Sequence, residues 1–169
     1  MPGKKEIIER KIVEAGDYES LSRQLSYWRF HGKKLVFTNG CFDILHLGHI
    51  DYLSKAAGLG DVLVIGLNSD ASVSRLKGPE RPVNDQRARA QVLASLFFVR
   101  GVVLFEEDTP YELIKIVQPD VLVKGSDYRS EDIVGYDVVK ARNGQVVTLD
   151  FLEGYSTSSI IEKLRSEKA

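Results

Sequence analysis

The chain is 169 residues long and 43% hydrophobic, with 23 Lys and Arg against 24 Asp and Glu for a net charge of -1. Such length and apolar content support one substantial core and exclude a disordered chain, while the balanced charge gives no generic attraction to nucleic acid or to an anionic membrane. A single cysteine, Cys41, excludes an intrachain disulfide and a cysteine-built zinc site.

From the amino terminus, MPGKKEIIERK is charged and amphipathic without the apolar run of a secretory signal, and no later segment reaches membrane-spanning length, so a cytoplasmic location is expected. Ile7, Ile8, Lys11 and Ile12 recur at helical spacing within Lys4 to Ala15, and Tyr18 to Phe30 supplies a second mixed apolar surface. Two short helices are therefore predicted in an extension over residues 1–30. KLVFTNG reads as a strand from Lys34 to Thr38, stopped by the turn-prone pair Asn39 and Gly40. A helix is expected to begin just after Leu47, where Ile50, Leu53 and Ala57 share helical spacing.

DVLVIGL, from Asp61 to Leu67, is continuously apolar after its first residue, which suits a strand buried on both faces of a parallel sheet. RLKGPERPVND reads as a loop, followed by a helix from Gln86 to Phe98 that Asp85 can cap. Val102 to Phe105 and Val121 to Val123 are strand cores, and between them Thr109 to Val117 forms a helix that tolerates Pro110 in its first turn. A helix from Glu131 to Ala141, a strand at QVVTLD and a closing helix from Ser156 to Leu164 complete the pattern. This alternation predicts a three-layer Rossmann-like α/β fold with a mostly parallel five-stranded sheet, whose ligands meet the loops at the carboxyl ends of the strands.

The densest such loop is TNGCFDILHLGH, Thr38 to His49, directly after the first strand. Its glycines permit close approach by phosphate oxygens, and the following helix start supplies partly positive amides. Once helical geometry begins, the spacing of His46 and His49 turns both imidazoles toward one patch. Two histidines without a further obvious ligand make an incomplete metal site; Asp43 could supply one, but suits backbone capping better. Cys41 is expected to serve packing or spacing, because no activating base is evident beside it.

Two further blocks carry phosphate chemistry. In LKGPERP, Lys77 extends a positive charge, Gly78 permits close approach, and Arg81 either meets an acceptor phosphate or holds a nearby carboxylate. Arg87, at the next helix start, is another phosphate candidate. VKGSDY, Val123 to Tyr128, places Lys124 and Gly125 after a strand, and in EGYSTSSII the run Ser156, Thr157, Ser158 offers hydroxyl and amide donors at a helix start.

The HxGH loop resembles the first signature of the nucleotidyltransferase superfamily that includes glycerol-phosphate cytidylyltransferases, pantetheine-phosphate adenylyltransferases and class I aminoacyl-tRNA synthetases. Through FTNGCFDILHLGH, GLNSD, RLKGPERP, VKGSDY and EGYSTSSI the chain is similar, over nearly its whole core, to the D-glycero-beta-D-manno-heptose 1-phosphate adenylyltransferase family. It departs from the glycerol-phosphate enzymes in reading DFL before Glu153 where they carry an arginine, and Ser158 stands where a threonine is frequent in the heptose family. The resemblance implies a nucleotidyltransferase domain over residues 31–169 that joins ATP to heptose 1-phosphate and releases pyrophosphate. It implies His46, His49 and Lys77 as catalytic residues, with Mg2+ accompanying the co-substrate ATP. The nucleotide would meet Thr38, Gly40, Phe42, Asp43, Gly48, Asn68, Lys124, Gly125, Ser156, Thr157 and Ser158, and the acceptor would meet Asp70, Arg81 and Arg87. A homodimer is also implied. A cytidylyltransferase acting on a small alcohol or sugar phosphate, and an inactive nucleotide-binding interaction domain, are the competing expectations; the first loop lacks the GxGxxG of dinucleotide oxidoreductases.

Overall fold

The computed structural model describes residues 3–127 and 129–166; Tyr128, the last residue of VKGSDY, lies outside them. Along the chain run α1 (Lys4–Glu9), β1 (Ile12–Val13), α2 (Tyr18–Phe30), β2 (Leu35–Gly40), α3 (Leu47–Ala57) and β3 (Val62–Asn68). They are followed by α4 (Asp70–Lys77), α5 (Gln86–Ser95), β4 (Val99–Phe105), α6 (Tyr111–Val117), β5 (Val121–Gly125), a 3-10 turn at Ser130–Asp132, α7 (Tyr136–Lys140), β6 (Gln145–Leu149) and α8 (Thr157–Ser166).

The strands form one parallel sheet in the order β1-β4-β3-β2-β5-β6. Their apolar side chains alternate between two cores. Val36, Leu63, Ile65, Leu67, Val102 and Leu104 pack with Leu53 of α3 and Leu93 of α5 on one face. Leu35, Phe37, Val62, Val64, Val103 and Leu122 pack with Leu21 and Leu25 of α2, Ile114 of α6 and Val139 of α7 on the other. All seven residues of β3 are buried, which is why its sequence is apolar throughout rather than alternating. Among the described residues no helix is long and apolar enough to cross a membrane.

Four expectations about elements are corrected. The sheet has six strands, not five. The segment Lys4 to Ala15, expected as one helix, stops at Glu9 and continues as β1, where Ile12 and Val13 stand in register with Val102 and Val103. Val102 donates its amide to the Lys11 carbonyl at 2.8 Å, so the edge of β4 is paired instead of exposed. The helix expected from Glu131 to Ala141 is interrupted by Gly135 at φ 89°, where an added Cβ would lie 2.7 Å from Ile114. Asp70–Lys77, which the loop reading did not assign, is a helix capped by Ser69, whose hydroxyl accepts from the Ser72 amide at 3.2 Å.

This topology positions a site. From β2 the chain winds outward through β3 to β4, then returns to lay β5 on the opposite side of β2. The winding direction therefore reverses between β2 and β5, and the loops leaving their carboxyl ends diverge to open a crevice there.

Candidate active site

The crevice is a cleft of about 570 Å³ lined by loops from every central strand. Asn39 and Gly40 close β2, Phe42 turns the chain at φ 43°, and α3 begins with His46 as its N-cap. Phe42 is 7% exposed and sets its ring edge-on to His49, centroids 5.3 Å apart. An added Cβ on Gly40 would lie 2.9 Å from the Phe42 ring, and one on Gly48 would lie 3.1 Å from the His46 ring.

The two imidazoles stack, with centroids 3.8 Å apart and planes inclined by 21°. Nδ1 of each is buried and without a hydrogen-bond partner among the described residues, as is Oδ1 of Asn39. Burial, with His46 alongside, pushes His49 down to about 4, and burial also lowers His46. The pair is thus held uncharged at neutral pH with polar nitrogens unmet, a state that costs stability unless a ligand completes it. His49 lines the cleft, whereas His46 is stacked on His49 and is not itself among the residues that line it.

Lys77 and Lys124 enter the cleft from different loops. Lys77 is exposed at the end of α4, where Gly78 at φ 100° breaks the helix. Lys124 sits at the penultimate position of β5; burial lowers its pKa, against the raising influence of Asp127 and Cys41. Thr157 and Ser158, at the start of α8, complete the lining with Asn68, whose Nδ2 donates to the Ser72 hydroxyl at 3.0 Å.

Two buried ionic clamps hold these loops together. Asp43 accepts from Nε of Arg81 at 2.6 Å, from the amide of Val83 at 2.8 Å and from the amide of Asn84 at 3.0 Å. Burial alone would raise the Asp43 carboxyl, but the Asn84 and Val83 amides and the Arg81 side chain hold it below its ordinary value. Of the two roles open to Arg81, the structure therefore has it holding a carboxylate while still lining the cleft. The second clamp is Arg89, which no motif had marked. Its fully buried guanidinium donates to the carbonyls of Cys41 at 2.6 Å and Asn84 at 3.0 Å and to Asp70 Oδ1 at 2.7 Å. Burial pushes the Cys41 thiol up despite the nearby cations Lys77, Arg89 and Arg81, which fits a spacing role.

Not every expected residue meets the cleft. Thr38 is buried beneath it, its hydroxyl 2.8 Å from that of Tyr52. Asp70 is engaged by Arg89, and Ser156 turns its hydroxyl onto the Ser159 amide at 3.0 Å. Gly125 closes β5, packed under Phe151. Arg87 lies in a separate hollow beside Glu9, Glu14 and Gln86, because it occupies the outer face of α5 that Arg89 leaves. Among the described residues no three His, Cys, Asp or Glu side chains form a metal shell.

Comparison with known proteins gives the family and its relatives. The cytidylyltransferase-like family profile matches residues 37–163. The bifunctional protein HldE of Nitratiruptor sp. is 57% identical over 158 residues, 94% of this chain and 33% of that protein. The bifunctional protein HldE of Wolinella succinogenes is 54% identical over 157 residues, 93% of this chain and 32% of that protein. The chain thus spans about a third of the length of the curated relatives it matches. Among solved structures, the lipopolysaccharide core biosynthesis protein from Thermoplasma volcanium aligns at TM-score 0.60 and 28% identity, over 72% of this chain and all of that one. A pantoate-beta-alanine ligase from Francisella tularensis shares the fold at TM-score 0.61 and 16% identity, over 94% of this chain and 78% of that one.

Proposed function

The chain belongs to the cytidylyltransferase-like family, and from that premise we propose that it transfers the adenylyl group of ATP to D-glycero-beta-D-manno-heptose 1-phosphate, giving ADP-heptose and pyrophosphate. The observation that carries the transfer chemistry is the stacked, neutral pair His46 and His49, with unmet nitrogens, set at the crevice where Lys77 and Lys124 converge. The heptose acceptor is supported by the five matching sequence blocks and by relatives above 50% identity that carry the name HldE.

A phosphate oxygen of the sugar attacks the α-phosphorus of ATP. A new oxygen–phosphorus bond forms as the bond to the β-phosphate oxygen breaks, and pyrophosphate leaves with its electron pair. The nucleophile is already ionised at neutral pH, so the protein supplies no base; its task is alignment and stabilisation of charge on the phosphate oxygens. His46 and His49 donate N–H groups to the reacting phosphate, Lys77 opposes charge from the β3 side, and Lys124 from the β5 side. Thr157 and Ser158 add donors at the amino end of α8. Asp43 and Arg89 hold the loops that carry these groups, as positioning residues.

Asp43 is occupied by Arg81 and two amides, so the remaining donors fit a magnesium ion that arrives on the triphosphate with phosphate and water as its ligands. Such an ion would neutralise the triphosphate and ease departure of pyrophosphate. The reading also includes a homodimer, for which Phe97, 85% exposed and edge-on to Phe98, offers apolar surface; light scattering after size exclusion tests it.

The family profile takes its description from cytidylyltransferases, which keeps CTP as a second reading. Purified protein is assayed with Mg2+, ATP or CTP, and heptose 1-phosphate, following pyrophosphate and the coupled product. ATP-dependent ADP-heptose is the expected result. Nucleotide binding without pyrophosphate release would support the inactive binding domain instead.

A further inference from the structure

A nucleotide carries a polyanion at one end and a flat, mostly apolar base at the other. The cleft has two corresponding sides. The end of α4 and the loop after it contribute Lys77 and Arg81, whereas the β5 and β6 side contributes Ile133, Val134 and Phe151 beside Lys124 and Asp132. Among the apolar residues on that second side, Phe151 is the large one left open, at 52% exposure, while Ile133 is 4% exposed.

The Phe151 ring is seated. It lies directly against Gly125, where any Cβ would collide with its Cε2 and Cζ atoms, so glycine at the end of β5 is what admits it. The Tyr52 ring flanks it at 5.4 Å between centroids, and Tyr52 is itself fixed through its hydroxyl contact with Thr38. The segment bearing Phe151 is tied down by the Ser126 amide, which donates to the Leu149 carbonyl at 3.0 Å. Thr157 and Ser158, whose helix start can receive phosphate, follow shortly after on the same segment and line the same cleft. An aromatic face held in place from behind and open toward a phosphate-binding cleft is a stacking platform.

We propose that Phe151 is the nucleobase wall of the cleft: its ring stacks on the adenine of ATP and contributes to preference for a purine over a pyrimidine nucleotide. This rests on the adenylyltransferase reading above. A purine presents a larger π-face than a pyrimidine, so removal of the ring costs ATP more than CTP. The acceptor sugar gains nothing from it.

The test compares the wild-type protein with Phe151→Ala and Phe151→Trp. Steady-state KM values are measured for ATP, CTP and heptose 1-phosphate, and ADP is titrated calorimetrically without acceptor. Phe151→Ala is expected to raise KM for ATP and Kd for ADP by roughly five- to hundredfold, the range of one base–aromatic stack, with a smaller rise for CTP and none for the sugar phosphate. Phe151→Trp is expected to restore affinity and to show indole emission quenched by ADP, beyond any change in the wild type with its single Trp28. Unaltered ADP affinity in Phe151→Ala, or a loss confined to the sugar phosphate, overturns the proposal. Should Phe151→Ala fail to fold, Phe151→Trp decides: no ADP quenching beyond the wild type overturns it. A wild-type protein that binds ADP yet never releases pyrophosphate sinks the adenylyltransferase reading, while the titrations still decide the role of Phe151.

Discussion

Arg81 reaches back 38 residues to set its Nε 2.6 Å from Oδ2 of Asp43, joining the loop after β2 to the loop after α4. The carboxylate is 1% exposed and the guanidinium 20%, so the contact is largely withdrawn from solvent at the wall of the cleft that both residues line. Two segments that both line the cleft are thereby fixed relative to each other.

Replacing Asp43 with alanine leaves Arg81 and the Val83 and Asn84 amides without their acceptor. The expected cost is about 3–5 kcal/mol in denaturant unfolding, as for one broken partner of a buried pair. Because the folded carboxyl is held below its unfolded value of about 3.9, its contribution is present above that pH and lost as pH falls further. Acid unfolding of the wild type is therefore expected to be steeper than that of Asp43→Asn in the same range.

Arg89→Met removes the donor shared by Cys41, Asn84 and Asp70. Unfolding free energy is expected to drop by about 1–3 kcal/mol, mainly because the Cys41 and Asn84 carbonyls lose their donor, while Asp70, 39% exposed, is taken up by solvent. Arg89→Lys recovers only part of it, since one ammonium cannot span three acceptors in the planar fork of a guanidinium. Turnover in both falls with the displaced loop, and a melting curve run beside the kinetic assay tests the pairing.

His46→Asn and His49→Asn are expected to lower kcat roughly 100- to 1000-fold, the effect of losing a preorganised donor to a developing charge. Folding is expected to be retained in His46→Asn, whose Nδ1 makes no hydrogen bond that the substitution breaks, and a melting curve checks His49→Asn, which loses the ring that packs on Phe42. Normal turnover in either folded variant would count against the mechanism. The pH response has a definite sign. Between about 6.5 and 4 the unfolded chain holds a proton at position 49 that the folded chain refuses, so stability falls as pH drops through that window. Thermal melts across this range should flatten in His49→Asn.

Lys77→Ala separates binding chemistry from folding. The side chain is exposed at a helix end, so the melting temperature is expected to stay close to wild type. Loss of a charge-assisted contact of about 1.5–3 kcal/mol predicts a roughly 10- to 100-fold fall in kcat/KM with ATP, read in the pyrophosphate assay.

Strands β2 through β6, the loop from Thr38 to His49 and the facing of His46 and His49 were legible from residue order alone. Their signals are local: continuous apolar runs, a turn pair, and a three-residue spacing that here runs from the extended N-cap His46 into the first turn of α3. β1 was not legible, since two residues hold strand geometry only because the β4 edge supplies their partners. Nor was the break at Gly135, which is set by the approach of Ile114 from another helix. The clamps of Asp43 and Arg89, the seat of Phe151 on Gly125 and the displacement of Arg87 depend on which strands lie side by side. Periodicity in a chain fixes which face of an element is apolar, and so dictates layers and parallel strands. Strand order, and with it the crevice between β2 and β5, arises from packing among segments far apart in sequence, where no local pattern records the partner.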